Sequence, residues 1–284
     1  MDLTFISFHD LTPAGTYLFL SESITDVLGW APEELVGVSP YTLFHPHDLK
    51  AVQQVHLAAL HQNIVGNLVY VRMRHKDGRY IDVESNVNMC YDTITTATSL
   101  RDRTGNRAKI RAATAEMVWE VAEDGSLRKL SCYRDATYVM PTLEPFIWDP
   151  ATLKPEPRAC LILNRFTLSY TVVYCSKSTA TLLNTPASDV LGQSFLDMVH
   201  QDDQENVRSQ IDIAKTLDAI AHVKFRVRQD TCDERDTRPE LPSRHRYPLR
   251  SMTRPSMSIH RLLINIEAVV NCTRDGLVIV LRRE

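Results

Sequence analysis

Glycine is scarce in this chain: nine residues in 284, about half of the usual usage of ~7%. A glycine-rich phosphate loop has little to be built from, and neither G-x-x-x-x-G-K-S/T nor G-x-G-x-x-G occurs. The six cysteines (Cys90, Cys132, Cys160, Cys175, Cys232, Cys272) include no C-x-x-C pair, which argues against a zinc framework and for reduced structural thiols. No uninterrupted apolar run is long enough to cross a membrane. The start, Met1-Asp2-Leu3, has an acid where a secretory signal carries Lys or Arg. With 32 Lys+Arg against 35 Asp+Glu, the net charge of -3 gives no global field for nucleic acid. The expectation is a cytoplasmic or nuclear chain with no membrane association and no direct DNA binding.

What is present is ordinary globular material, 44% hydrophobic and 24% charged, at a length that suits two domains. An internal repeat supports two. Positions 21–59 align without a gap with 176–214, at an offset of 155, and nine pairs are identical, among them Gly37/Gly192, His45/His200 and Asp48/Asp203. The other pairs keep physical roles. Ser23 and Ser178 stand at N-cap positions of short helices that stop at Gly29 and Asn184, residues suited to a left-handed C-terminus. Pro32 and Pro186 open further turns ending at Gly37 and Gly192. Asp48 and Asp203 are expected to cap a longer helix whose inward stripe is Val52, Val55, Ala59 in one copy and Val207, Ile211, Ala214 in the other, and His45 and His200 to position its entry.

Three strands should follow in each copy. Val69–Arg74 matches Val223–Arg228 at an offset of 154, and Lys76-Asp77-Gly78-Arg79 signals a hairpin turn into Tyr80–Glu84. Leu262–Glu267 is the corresponding strand of copy two, and Thr95–Arg101 and Leu277–Arg282 are the last strands. Opening hairpins are Phe5–Phe8 with Tyr17–Leu20 and Cys160–Leu163 with Tyr170–Val173. The fold class is therefore α+β: two domains, each a five-stranded antiparallel sheet with helices on one face.

This order resembles the PAS fold. The resemblance is carried by Ser23-x4-Leu28-Gly29-Trp30-x4-Leu35-Val36-Gly37, by Phe44-His45-Pro46-x-Asp48 and by Lys76-Asp77-Gly78-Arg79-Tyr80, with a weaker version in Leu183-Asn184-x-Pro186-x4-Leu191-Gly192 and Val199-His200-x2-Asp203. It implies PAS domains at 1–103 and 156–284, separated by a helical and Pro-rich connector at 104–155. Within that connector, Asn106–Val121 has the spacing of one amphipathic helix, with Ile110, Met117 and Val121 on a shared face suited to its own sheet or to a helical dimer contact. A long polar loop at 229–258 runs from acidic (Asp230, Asp233, Glu234, Asp236, Glu240) to basic (Arg244, His245, Arg246, Arg250, Arg254), a localisation or binding segment or a plain solvated loop.

The resemblance divides the chemical options. Flavin photosensors of the LOV subclass need a Cys in a Gly-Arg-Asn-Cys-Arg-Phe-Leu-Gln run, and Gly37–Phe44 and Gly192–Val199 contain none, so no flavin photoadduct is expected. A haem would take an axial His from the longer helix, for which His56 is the candidate and His61 a second. No nucleophile elbow, zinc signature or catalytic block is found, so no catalytic and no metal residues are proposed and the chain is expected not to be an enzyme. The implied role is that of a tandem PAS sensor or adaptor without a required cofactor, pairing with itself or another PAS protein in signal transduction or transcription, similar to the White Collar and bHLH-PAS groups but without their basic helix-loop-helix or GATA-type zinc finger. Trp30, Tyr70, Val71 and Met73 are the candidate interaction residues. The alternative is a ligand-gated sensor holding a haem or small metabolite.

Overall fold

The computed structural model describes residues 3–61, 65–90, 92–132, 156–230 and 261–284. Module one opens with β1 (Thr4–His9) and β2 (Tyr17–Leu20). It continues through α1 (Ile24–Leu28), α2 (Pro32–Leu35), a single 3-10 turn at Pro40–Thr42 and the longer α3 (Leu49–His61), then β3 (Asn67–Arg74), β4 (Tyr80–Met89) and β5 (Ile94–Leu100). After α4 (Asn106–Thr114) come β6 (Met117–Val121) and β7 (Leu127–Cys132). Module two repeats the order: β8 (Arg158–Leu163), β9 (Val172–Cys175), α5 (Thr179–Leu183), α6 (Ala187–Val190), α7 (Phe195–Met198), α8 (Gln204–Leu217), β10 (Ala221–Asp230), β11 (Arg261–Cys272) and β12 (Leu277–Arg283). The 231–258 part of the expected polar loop and most of the Pro-rich connector lie outside the described residues.

The strands run β2-β1-β5-β4-β3-β6-β7 in one sheet and β9-β8-β12-β11-β10 in the other, so the first five positions of the first sheet are the second sheet repeated. The extra pair corrects the expectation of a single helix over 106–121. The helix stops at Thr114, Ala115 turns extended, and Met117-Val118-Trp119-Glu120-Val121 pairs parallel with β3 over Asn67–Tyr70. Branched and aromatic side chains favour a pleated surface, and the β3 edge offered unpaired amides, so the pairing outweighs helical periodicity. Met117 and Val121 thus lie in the first core and Ile110 alone stays on α4. Asp124-Gly125 makes the β6–β7 turn, with Gly125 at φ 81°.

The expected helix stops form as read, with Gly29 at φ 75° and Asn184 at φ 55°. Gly37 and Gly192 take left-handed φ, and each donates its N–H at 2.8 Å to the carbonyl of Tyr17 or Val172, tying the turn after α2 or α6 to an edge strand. Asp77 accepts from the Arg79 N–H at 3.1 Å, and Gly78 closes the hairpin at φ 96°. The serine caps do not form. Neither the Ser23 nor the Ser178 side chain bonds its own helix; both hydroxyls reach across to the opposite module.

The paired aspartates also act differently from simple caps. Asp48 is fully buried, and its Oδ2 accepts from the Arg72 N–H and Nε, both at 3.1 Å, while Oδ1 meets the same guanidinium. Asp203 grips Arg226 identically, at 2.8 Å to the N–H, 2.9 Å to Nε and 2.8 Å from Oδ1 to Nη2. His45 and His200 donate their backbone N–H groups to the carbonyls of the same two arginines. Each clasp pins the entry of the long helix to the middle of a strand, and a bidentate charge-assisted pair is among the stronger polar contacts available.

Replacing Asp48 or Asp203 by Ala should lower stability by about 1–3 kcal/mol, because a strand N–H and a guanidinium lose their acceptor. The Arg226 contacts hold the Asp203 carboxyl at about 2, below its ordinary 3.8. Its contribution is therefore complete above pH ~4 and lost as pH falls through about 2, so denaturation of Asp203→Ala and the parent should converge in that window.

Candidate functional site

Two places in the molecule carry more than packing. The first is a void of about 100 Å³ in module one, between the sheet and α3, walled by Val55, Val69, Val71, Met73, Val87 and Ile94 among others. Alternation along β3 creates this wall: Val69, Val71 and Met73 point under the helix, and Leu68 and Tyr70 point the other way. The polar groups in the wall are few. His9 bonds the Gly15 carbonyl through Nδ1 at 2.9 Å and the Ser7 hydroxyl through Nε2 at 2.9 Å. His56, on α3, meets the Tyr41 hydroxyl through Nδ1 at 2.5 Å, and its Nε2 is buried with no protein partner.

Burial lowers both imidazoles to about 4 from 6.5, so each is neutral at physiological pH. Burial also raises the Tyr41 phenol, which stays protonated. With Tyr41 donating to Nδ1, the Nε2 of His56 carries the hydrogen; with the bond reversed, Nε2 is a lone-pair acceptor. Either way a single uncompensated polar atom sits in an apolar wall, where leaving it unpaired costs about 1–3 kcal/mol. Gly15 makes room for the ring: it holds φ 56°, and a Cβ there would stand 3.0 Å from His56 Cε1. Sequence reasoning found His56 but missed Tyr41, His9 and Gly15. The equivalent of Gly15 at the 155 offset is Tyr170, also at positive φ (50°), whose ring is buried in the core of module two.

The second place is the contact between modules. Helices α1–α3 and α5–α8 cover one face of each sheet, and the opposite faces pack on each other, with α4 alongside through Ala112: Ile6, Phe8, Leu68, Tyr70, Cys90 and Val118 of module one against Cys160, Ile162, Ile220, Val269, Val278 and Val280 of module two. Phe8 and Tyr174 stack with centroids 4.7 Å apart. Polar contacts ring this apolar patch. The Ser23 hydroxyl donates to Asp275 at 2.6 Å, and the Ser178 hydroxyl donates to Asp92 at 3.2 Å. Arg282 reaches Glu116 at 3.2 Å and Glu267 at 2.9 Å, Arg107 reaches Asp218 at 3.1 Å, and Thr114 accepts from the Ile220 N–H at 2.9 Å. Among the described residues Glu116, His222 and Glu267 form the one group close enough to hold a metal. The Arg282 guanidinium already supplies the cation those two buried carboxylates need.

These contacts correct the expected interaction residues. Tyr70, Val71 and Met73 are all buried within the chain, and they divide between two faces where one was expected: Tyr70 lies between the modules with the Arg101 guanidinium 3.9 Å above its ring, and the other two line the cavity. Trp30 packs on the first core and donates to the Arg74 carbonyl at 3.2 Å. The side chain of His61 lies outside the described residues. The Asp92 and Asp275 pair escaped the sequence reading because the longer loop of copy two shifts the repeat offset there from 155 to 183, the spacing that also relates Glu84 to Glu267.

Stability should fall as pH drops from 6.5 to about 4, since the unfolded chain protonates its histidines where folded His9 and His56 do not. NMR titration should give both imidazoles midpoints near 4, and His56→Leu should flatten part of that stability loss.

Comparison with known proteins follows the same division. A family model described as "PAS fold" matches residues 17–100, and one described as "PAS domain" matches 158–238. Protein cycle of Drosophila melanogaster is 37% identical over 82 residues, covering 28% of this chain and 19% of that protein. Hypoxia-inducible factor 1-alpha of Gallus gallus is 34% identical over 90 residues, covering 32% of this chain and 11% of that protein. Both relatives are PAS proteins of the bHLH-PAS type, and the matched segment spans no more than about a fifth of their length. A solved structure of Drosophila melanogaster Cycle PAS-B with bound ethylene glycol is 29% identical, covers 34% of this chain and 99% of its own, and aligns with a TM-score of 0.31.

Proposed function

The chain belongs to the PAS family, with two PAS domains in tandem, and from that premise we propose that it is a non-enzymatic signalling adaptor, acting in signal transduction or transcription regulation by pairing PAS sheets. The observation that carries this reading is the contact between the modules. An apolar sheet face ringed by polar pairs is a protein-docking surface, and here a PAS sheet occupies it. The partner class it fits is therefore another PAS sheet, from a second copy or from a different PAS protein. Among the described residues no helix is long and apolar enough to cross a membrane.

A second reading is favoured by the cavity in module one. A void of about 100 Å³ is smaller than the roughly 150 Å³ that accommodates benzene, so it suits a small neutral molecule with one polar group and does not suit a haem macrocycle. His56 would then give or accept one hydrogen bond through Nε2, and the apolar wall would exclude charged ligands. Ligand occupancy would act on α3 and, through β3, on the face opposite.

Two measurements test these readings. Proteins recovered with the native full chain should be enriched in PAS proteins; recovery of none would remove the adaptor reading. Short alcohols, followed by NMR at Tyr41 and His56, should bind the parent about 5- to 10-fold more tightly than His56→Leu, the value of one hydrogen bond. Equal binding would remove the ligand reading, and a Soret band lost in His56→Ala would replace it with a haem site.

A further inference from the structure

The two cross-module hydroxyl bonds are one contact written twice. Ser23 and Ser178 are equivalent at an offset of 155. Asp92 and Asp275 are equivalent at an offset of 183, the same offset that matches Glu84 opposite Ser99 on β4–β5 to Glu267 opposite Arg282 on β11–β12. Ser23 of module one meets Asp275 of module two, and Ser178 of module two meets Asp92 of module one. When residue i meets j while the equivalent of j meets the equivalent of i, the two bodies are related by a two-fold axis. A face that packs on its own homologue in this way is shaped to pack on an identical copy of itself by the same operation.

We propose that module two occupies, within the chain, the face through which module one would otherwise pair with a second copy of this chain, and that opening the tandem converts a monomer into a dimer joined by that face. The idea rests on the sheet-pairing reading above. It adds that the pairing is competitive. Released from module two, Ile6, Phe8, Leu68, Tyr70 and Val118 would form a contiguous exposed patch, of the kind soluble domains cover. The contact also buries Asn86 with neither amide atom bonded to protein, polar content typical of an interface between domains that can separate.

The chemistry also ranks the two pairings. Glu116 is neutralised within the chain by Arg282, but the equivalent of Arg282 in module one is Ser99. A pair of module-one faces would therefore leave Glu116 without a guanidinium, making the self-pair weaker than the internal one. Tethering adds to this, since a partner on the same chain is present at an effective concentration of order millimolar. The closed monomer is the ground state, and the dimer is the state that follows opening.

Light scattering of the full chain tests this directly. The parent should give the mass of one chain, 32.3 kDa, at micromolar concentration. Val280→Asp, which places a charge on the helix-free face of module two and leaves module one intact, should give twice that mass. Adding Ile6→Asp should return it to one chain, and adding Ser99→Arg should tighten the dimer at least about tenfold, the worth of a charge-assisted hydrogen bond. A second test does not depend on how Val280→Asp folds. Ser23→Cys with Asp275→Cys should form a disulfide within one chain, and near millimolar concentration a detectable fraction of the reduced form should dimerise while the oxidised form stays at one chain. A Val280→Asp variant with native circular dichroism that stays at one chain, or an oxidised chain that dimerises as readily as the reduced one, would overturn the proposal while leaving recovery of other PAS proteins unaffected.

Discussion

A sheet covered by helices on one side must still bury its other side, and that requirement organises this molecule. Module one turns Phe5, Val69, Val71 and Val83 toward its helices, and the alternation that does so turns Ile6, Phe8, Leu68 and Tyr70 outward. Module two has the same excess, through Cys160, Ile162, Val278 and Val280. Placing the two outward faces together removes both from water at once. The remaining connections follow: α4 and β6 are held where they can supply Arg107, Thr114 and Glu116 to the rim, and the turns after β4 and β11 are held where Asp92 and Asp275 reach the opposite serines.

Within this shared frame the two copies have different interiors. At the turn before the second strand, Gly15 leaves space that His56 and Tyr41 border, whereas Tyr170 at the equivalent turn puts its ring into the core and its hydroxyl 2.7 Å from Asp212 on α8. Opposite His56, module two carries Ile211, fully buried. One copy has spent its interior on packing, and the other retains a void with a polar atom in its wall. The difference between the two interiors follows from two substitutions at matched positions, Gly15 against Tyr170 and His56 against Ile211.

Much of this was legible in the sequence because the signals were local. Left-handed helix ends at Gly29 and Asn184, the Asp77-Gly78 hairpin and the alternation of the strands all depend on a few adjacent residues. The reading failed where a distant partner decided the outcome. Met117–Val121 fits a helix as well as a strand until the open edge of β3 is known. Ser23 and Ser178 satisfy every local criterion for a cap, yet their hydroxyls are claimed by carboxylates some 250 and 86 residues away. Asp48 and Asp203 likewise serve an arginine on a strand that only the tertiary fold brings near. The residues around His56 were invisible for another reason: a cavity is defined by what is small, and Gly15 carries no periodic signal.

The two-fold relation also governs how mutation acts on this protein. In a dimer of identical chains, any change at the interface occurs twice, and the axis forbids a contact made on one side only. Fusing both halves into one chain lifts that restriction, so each side can vary alone. The bridge from Arg282 to Glu116 has no counterpart across the axis, because Ser99 stands where a second arginine would be. Such a one-sided contact gives the pair a direction, and with it a fixed identity for each half.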